Sequence, residues 1–256
     1  SAIITNIDAD HLDCYKNLHE IKQAFIQFAN KVPFYGQIVV CGDDPGNQDI
    51  LSALRKPVVV YGFGPQSDYR VRQLVFDGGL PRFEVVHGDK SLGIFHLQVP
   101  GRHNVLNAAA ALALSCEEGI DIEVSRRALE QFNGVKRRCE RIGEAGGILV
   151  LDDYAHHPTE VRATLQGIRE AFTQRRLWVV FQPHLYSRMQ EHYESFGAEF
   201  LNCDVLLVTD IYGAREQPIP GVSGEMIVHS ASRRGHRNAH FAGSRENALD
   251  ILQGEC

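Results

Sequence analysis

The 256-residue sequence holds no Gly-x-x-x-x-Gly-Lys-Ser/Thr run, so it carries no phosphate loop of the kind that wraps nucleotide phosphates in backbone amides. It has no Cys-x-x-Cys pair either. Its six cysteines are scattered at Cys14, Cys41, Cys116, Cys139, Cys203 and Cys256, which excludes a zinc ribbon or a thioredoxin-type motif. Dispersed thiols in a chain of this size read as reduced cysteines of a cytoplasm. Long apolar runs are lacking: the longest, Val105 to Cys116, is about 12 residues and contains Asn107, whereas a membrane helix needs roughly 20. No secretory leader is visible, and the chain opens on the strand-like Ala2-Ile3-Ile4-Thr5. Excess positive charge is also missing. A formal net charge of −6 speaks against a general nucleic-acid binder, which presents a basic face.

What is present alternates between apolar strands and amphipathic helices. Residues 2–7 predict a short buried strand, and 17–31 a helix with apolar positions at Leu18, Ile21, Ala24, Phe25 and Phe28. Strands are expected at 38–41 and 58–61, antiparallel hairpins across 69–99, and helices at about 104–118 and 123–132. A domain boundary falls after Gly134, giving units 1–134 and 135–256. In the second unit, strands at 148–151, 177–181, 205–209 and 239–242 alternate with helices at about 158–173, 188–202, 224–233 and 244–253. That order predicts an α/β fold with a Rossmann-like, doubly wound parallel sheet.

Such sheets bind ligands beyond the carboxyl ends of their strands. Here those ends read Asp152-Asp153-Tyr154-Ala155-His156-His157, then Gln182-Pro183-His184-Leu185-Tyr186-Ser187-Arg188, then Asp210-Ile211-Tyr212-Gly213. Plainer readings stand beside a binding site. The two aspartates can be helix caps, the histidines can be solvated, and adjacent histidines diverge too far to share a metal. Arg188 at a helix start opposes the dipole, which is easier to explain if it holds an anion. In the first unit, Asn104 can be an N-cap, with Asn107 packed.

These segments resemble the Mur ligase family. The run Asp152 to Glu160 and the run Phe181 to Arg188 are similar to two strand ends of its C-terminal domain. Thr5-Asn6-Ile7-Asp8-x-Asp10-His11-Leu12-Asp13 resembles its metal-loop segment, and Gly101-Arg102-His103-Asn104-x-x-Asn107-Ala108 its adenine-side helix. Phe132-x-Gly134-Val135-Lys136-Arg137-Arg138-x-Glu140 is similar to its inter-domain hinge, and Glu216-x-Pro218-Ile219-x-Gly221-Val222 extends the match. The resemblance implies the remainder of a central ATPase domain over 1–134, followed by a C-terminal amino-acid- and ATP-binding domain over 135–256.

Within the family, the motifs look most like those of the ligase joining L-alanine to UDP-N-acetylmuramate. The resemblance then implies ATP and Mg2+ as cofactors and a role in peptidoglycan precursor synthesis in a bacterial cytoplasm. It implies no nucleic-acid or membrane partner, and either a monomer or a homodimer. His11 would hold the magnesium ion and, with Arg137 and Arg138, act in catalysis. His103, Asn104 and Asn107 would meet adenine, and Asp152 or Asp153 the ribose. Tyr154, His156, His184 and Arg188 would bind the incoming amino acid. Leu185 departs from the family pattern, where a basic residue follows the histidine. Three alternatives carry over: a murein-recycling tripeptide ligase, a folylpolyglutamate synthase, which shares the plan but not these motifs, and a non-catalytic nucleotide-binding domain. Because the phosphate loop and the UDP-sugar domain of the family have no counterpart here, the sequence reads as an internal piece, inactive by itself.

Overall fold

The structure, a computed structural model, describes residues 1–9 and 14–255. It divides into two compact units, Ser1–Gly134 and Val135–Cys256.

In the first unit the strands are β1 (Ala2–Ile4), β2 (Ile38–Cys41), β3 (Val58–Gly62), β4 (Tyr69–Asp77), β5 (Leu80–His87) and β6 (Lys90–His96). The helices are α1 (Leu18–Asn30), α2 (Pro45–Ile50), α3 (Arg102–Glu117) and α4 (Ile122–Gln131). One sheet runs β1-β2-β3-β4-β5-β6, parallel up to β4 and antiparallel from β4 to β6. Strand β2 is buried at every residue, so its two faces need separate cores. Val39 and Cys41 join Val105, Ala109, Leu112 and Ala113 of α3. Ile38 and Val40 join Ile21 and Ala29 of α1 on the other side.

The second unit holds β7 (Glu140–Ala145), β8 (Ile148–Asp152), α5 (Pro158–Ala171), β9 (Trp178–Phe181), α6 (Tyr186–Glu199), β10 (Val205–Thr209), α7 (Glu225–Arg233), β11 (Ala239–Gly243) and α8 (Arg245–Glu255). Strands β11, β10 and β9 form a parallel sheet. Central β10 is buried throughout. Leu206 and Val208 pack against Val161 and Leu165 of α5, Phe196 of α6 and Ile227 of α7. Val205 and Leu207 pack against Ala248 and Ile251 of α8. Helices cover both faces, as a doubly wound sheet requires.

Two expectations need correction. The strand at 148–151 does not join the parallel sheet. It pairs antiparallel with β7, which the sequence reading left out, in a separate two-stranded ladder. The physical cause is the Gly146-Gly147 turn: both residues have positive φ, 58° and 82°, so a two-residue hairpin folds 140–145 back onto 148–152. Helix α2 was also unforeseen, although Asp44 as N-cap with Pro45 at the first helical position is a start signal. Between β8 and β9 lies a cavity of about 220 Å³, bordered by Leu149, Leu151, Asp152, Asp153, Trp178 and Val180.

Helices α6 and α7 approach closely at Gly197. A Cβ there would fall inside contact distance of Ser230 Oγ and 2.8 Å from the Ala231 amide nitrogen. Alanine normally stabilises a helix by about 1 kcal/mol relative to glycine. Gly197→Ala should instead destabilise by about 1–3 kcal/mol, because overpacking outweighs propensity. Urea unfolding reads the sign, and a gain in stability would contradict this packing.

Candidate functional site

The parallel sheet presents its strand ends together. Beyond β9 and β10 the ladder resumes briefly: Leu185 N donates to the Tyr212 carbonyl at 3.0 Å and Tyr212 N to the Pro183 carbonyl at 2.8 Å, with His184 bridged to Tyr212. Loop 153–157 after β8 comes alongside. Four rings therefore stand in a row. Centroid spacings are 4.9 Å for Tyr154–His156, 5.9 Å for His156–His184 and 5.8 Å for His184–Tyr212.

Arg188, in the first turn of α6, donates from Nη1 to His184 Nδ1 in a long bond of 3.4 Å. Arginine has only donors, so Nδ1 must be the lone-pair nitrogen and His184 the neutral Nε2–H tautomer. Electrostatics agree. Burial holds the His184 pKa below its ordinary value, Arg188 and His156 add to this, and Glu216 partly opposes it. His156 has its proton placed the other way, since Nδ1 donates to the Tyr154 carbonyl at 2.8 Å.

Carboxylates organise the loops. His157 caps α5 and forms a capping box with Glu160. Glu160 also accepts from the His156 amide at 2.9 Å and pairs with Arg138 at 3.3 Å. Burial would raise the Glu160 pKa, but the His156 amide and the nearby charges of His156 and Arg138 hold it below the ordinary value. The two neighbouring aspartates differ sharply. Asp153 accepts from Cys139 N at 2.7 Å and Ala155 N at 2.8 Å, so each of its oxygens already ties down a loop amide. Asp152 has a side chain 47% exposed, with Arg137 Nε 4.0 Å away. Neither is a helix cap.

Arg137 sits at φ 59°, its guanidinium 4.4 Å above the Tyr154 ring. Its carbonyl accepts from Tyr154 N at 2.8 Å. The expected residues Tyr154, His156, His184, Arg188, Asp152, Asp153, Arg137 and Arg138 thus collect in the second unit.

In the first unit, Gly101 rather than Asn104 is the N-cap of α3. Asn104 is taken into the first turn, where its Nδ2 donates to the Pro100 carbonyl at 2.7 Å. Asn107 is exposed, not packed. The His103 ring folds back over Gly101, where a Cβ would lie 2.7 Å from its Cε1, so glycine is needed at that φ of 99°. His11 lies outside the described residues. The segment leading to it is anchored by Asp44, which accepts from Ile7 N at 3.1 Å and Asn47 N at 2.8 Å. Asn47 Nδ2 reaches the carbonyls of Ile4, Thr5 and Cys41. Asp44 and Asn47 were not singled out by the sequence reading, and Tyr212 and Glu216 stood in its motifs without a role. The signals for them were the Asp-Pro helix start and the strand-end position of Tyr212.

A model of the Mur ligase middle domain matches residues 1–115, and one of the Mur ligase glutamate ligase domain matches residues 137–256. The chain belongs to the Mur ligase family. This Mur ligase chain is 46% identical over 252 residues to the UDP-N-acetylmuramate–L-alanine ligase of Salinibacter ruber, covering 98% of itself and 53% of that protein. The enzyme of the same name from Desulfatibacillum aliphaticivorans is 44% identical, with 98% and 55% covered. Among solved structures, the UDP-N-acetylmuramate–alanine ligase of Thermotoga maritima superposes with a TM-score of 0.75 at 30% identity, covering 94% of this chain and 50% of that one. A murein peptide ligase from Psychrobacter arcticus gives 0.63 at 25% identity, with 98% and 51% covered. The chain spans about half the length of the curated relatives it matches.

Two predictions follow from this geometry. Asp153→Ala strands two loop amides and should cost about 1–3 kcal/mol of stability, whereas Asp152→Ala should stay within about 0.5 kcal/mol; thermal unfolding of the pair compares them. By NMR, the His184 imidazole should titrate below about 6.5, and Arg188→Ala should move the midpoint up by removing a neighbouring positive charge. A lowered His184 pKa means the unfolded chain binds more protons in that window, so this group's contribution to stability grows as pH rises through it.

Proposed function

We propose that the intact protein is an ATP-dependent ligase that joins L-alanine to the carboxylate of UDP-N-acetylmuramate through an acyl phosphate, in the bacterial cytoplasm. The carrying observation is the meeting of Arg188 and neutral His184 beside Tyr154 and His156, at the strand ends of a chain whose relatives bear that ligase name. Alanine offers a binding site little besides its carboxylate and its amine. An arginine fork suits the carboxylate, and His184 Nε2–H supplies a second donor without placing another full charge beside Arg188.

Asp152 is the better partner for the ribose hydroxyls, because an exposed carboxylate accepts two donors while both Asp153 oxygens are occupied. His103, Asn104 and Asn107 form the adenine side in this reading. Arg137 and Arg138 turn toward phosphates at little cost, since the exposed ion pairs they leave are worth less than about 1 kcal/mol each. The reaction forms a carboxyl–phosphate bond as ADP leaves. The amine then attacks the carbonyl carbon, phosphate departs with the bonding pair, and the ammonium proton is lost. Magnesium, when bound, neutralises phosphate charge. Among the described residues no group of three or more His, Cys, Asp or Glu side chains could hold a metal ion. The magnesium proposal therefore rests on His11 and the family. Among the described residues no helix is long and apolar enough to cross a membrane.

The test is phosphate release by the intact protein with UDP-N-acetylmuramate, ATP and magnesium, comparing L-alanine with the recycling tripeptide. Turnover with alanine is expected, lost in His11→Ala and weakened at least tenfold in kcat/KM for alanine in Arg188→Ala, the scale of one charged hydrogen bond of about 1.5–3 kcal/mol. Turnover with the tripeptide alone would move the protein to the recycling reaction, and none with either would make it a binding module.

A further inference from the structure

Helix α6 begins without a cap of its own. Leu185 occupies the N-cap position with no side-chain hydrogen bond, at φ 69° and ψ 134°, a conformation that leucine adopts only under constraint. The first amides of a helix still need acceptors. They find one 29 residues further along, on the loop after β10. Glu216 Oε2 accepts from Ser187 N at 3.0 Å, and Oε1 accepts from Ser187 Oγ at 2.5 Å. The Tyr186 amide lies close enough to contribute as well.

Glu216 is itself held. Its amide donates to the Gly213 carbonyl at 2.8 Å. Gly213 lies so close to the Tyr186 ring that a Cβ there would come within 2.8 Å of Cε2. Tyr212, one residue before, is bridged to His184. The turn after β10 thus grips the α6 start from both sides of Leu185. Burial would raise the Glu216 pKa, but the bonds from Ser187 and Tyr186 and the proximity of His184 keep it below the ordinary value. The carboxylate is therefore charged where the helix dipole favours negative charge.

We propose that Glu216 is a positioning residue for the amino-acid carboxylate site. By capping α6 through Ser187, it sets the register of Arg188 and holds it against His184. This rests on the alanine-site reading given above for Arg188 and His184. Glu216 contacts the substrate in no part of the scheme, so its effect should fall on one substrate only.

The intact protein carrying Glu216→Ala should show a KM for L-alanine raised about tenfold, with kcat and the KM values for ATP and UDP-N-acetylmuramate within about twofold. Glu216→Gln, which keeps one acceptor oxygen, should show a smaller rise of about threefold. Amide hydrogen exchange provides a readout independent of turnover. Glu216→Ala should speed exchange at Tyr186, Ser187 and Arg188 at least fivefold, with the rest of the second unit unchanged. The inference is overturned by unchanged exchange at those amides, by a loss of protection spread through the unit, or by equal rises in the KM values for alanine and ATP. If the wild-type protein does not use L-alanine while the local exchange effect appears, the alanine reading fails and the cap stands.

Discussion

Strand β10 has no exposed residue and must bury both faces at once. That single demand places α5, α6 and α7 on one side of the sheet and α8 on the other. Parallel neighbours then follow, because each chain segment has to cross back over a helix before it can pair again. The carboxyl ends of β9 and β10 emerge side by side, and the short resumption of the ladder at His184 and Tyr212 draws the two loops together. His184, Arg188 and Tyr212 hang from that edge. The same logic governs the first unit, where β2 is buried throughout and the loop after β1 is tied down by Asp44 and Asn47.

Charge around the second-unit site is divided by task. Glu160 and Glu216 satisfy amides at the starts of α5 and α6, and Asp153 satisfies one just before β7 and one just before α5. These carboxylates have little left to offer a ligand. Asp152 keeps a side chain 47% exposed, with Arg137 Nε 4.0 Å away, and Arg188 Nη1 meets His184 Nδ1 at 3.4 Å. Burial, with the Arg188 charge adding to it, holds the His184 pKa below its ordinary value beside the arginine. In the proposed reading, such a site would take one negative group beside aromatic surface, which suits a small amino acid.

Membership in the Mur ligase family gives these observations a common frame, since both domain models match in the order the strands dictate. The Leu185 backbone at positive φ is held by its bond to the Tyr212 carbonyl and by the helix it precedes.

Much of this was legible from residue order. Apolar strand runs, helix periodicity and the division after Gly134 are short-range features written in burial pattern, and β10 at 205–209 is recovered to the residue. The polar clusters at strand ends were equally visible, because the rule that ligands bind there needs only the strand boundaries. Tertiary structure alone decided the rest. The pairing of β8 with β7 depended on two glycines adopting positive φ together. Which of the two neighbouring aspartates is tied into the loops depended on which one the amides of Cys139 and Ala155 could reach. The cap supplied by Glu216 came from 29 residues away. Sequence determines what each residue can donate, accept or bury, but which partner it meets is set by loops closing in space, and that information is not local to any stretch of the chain.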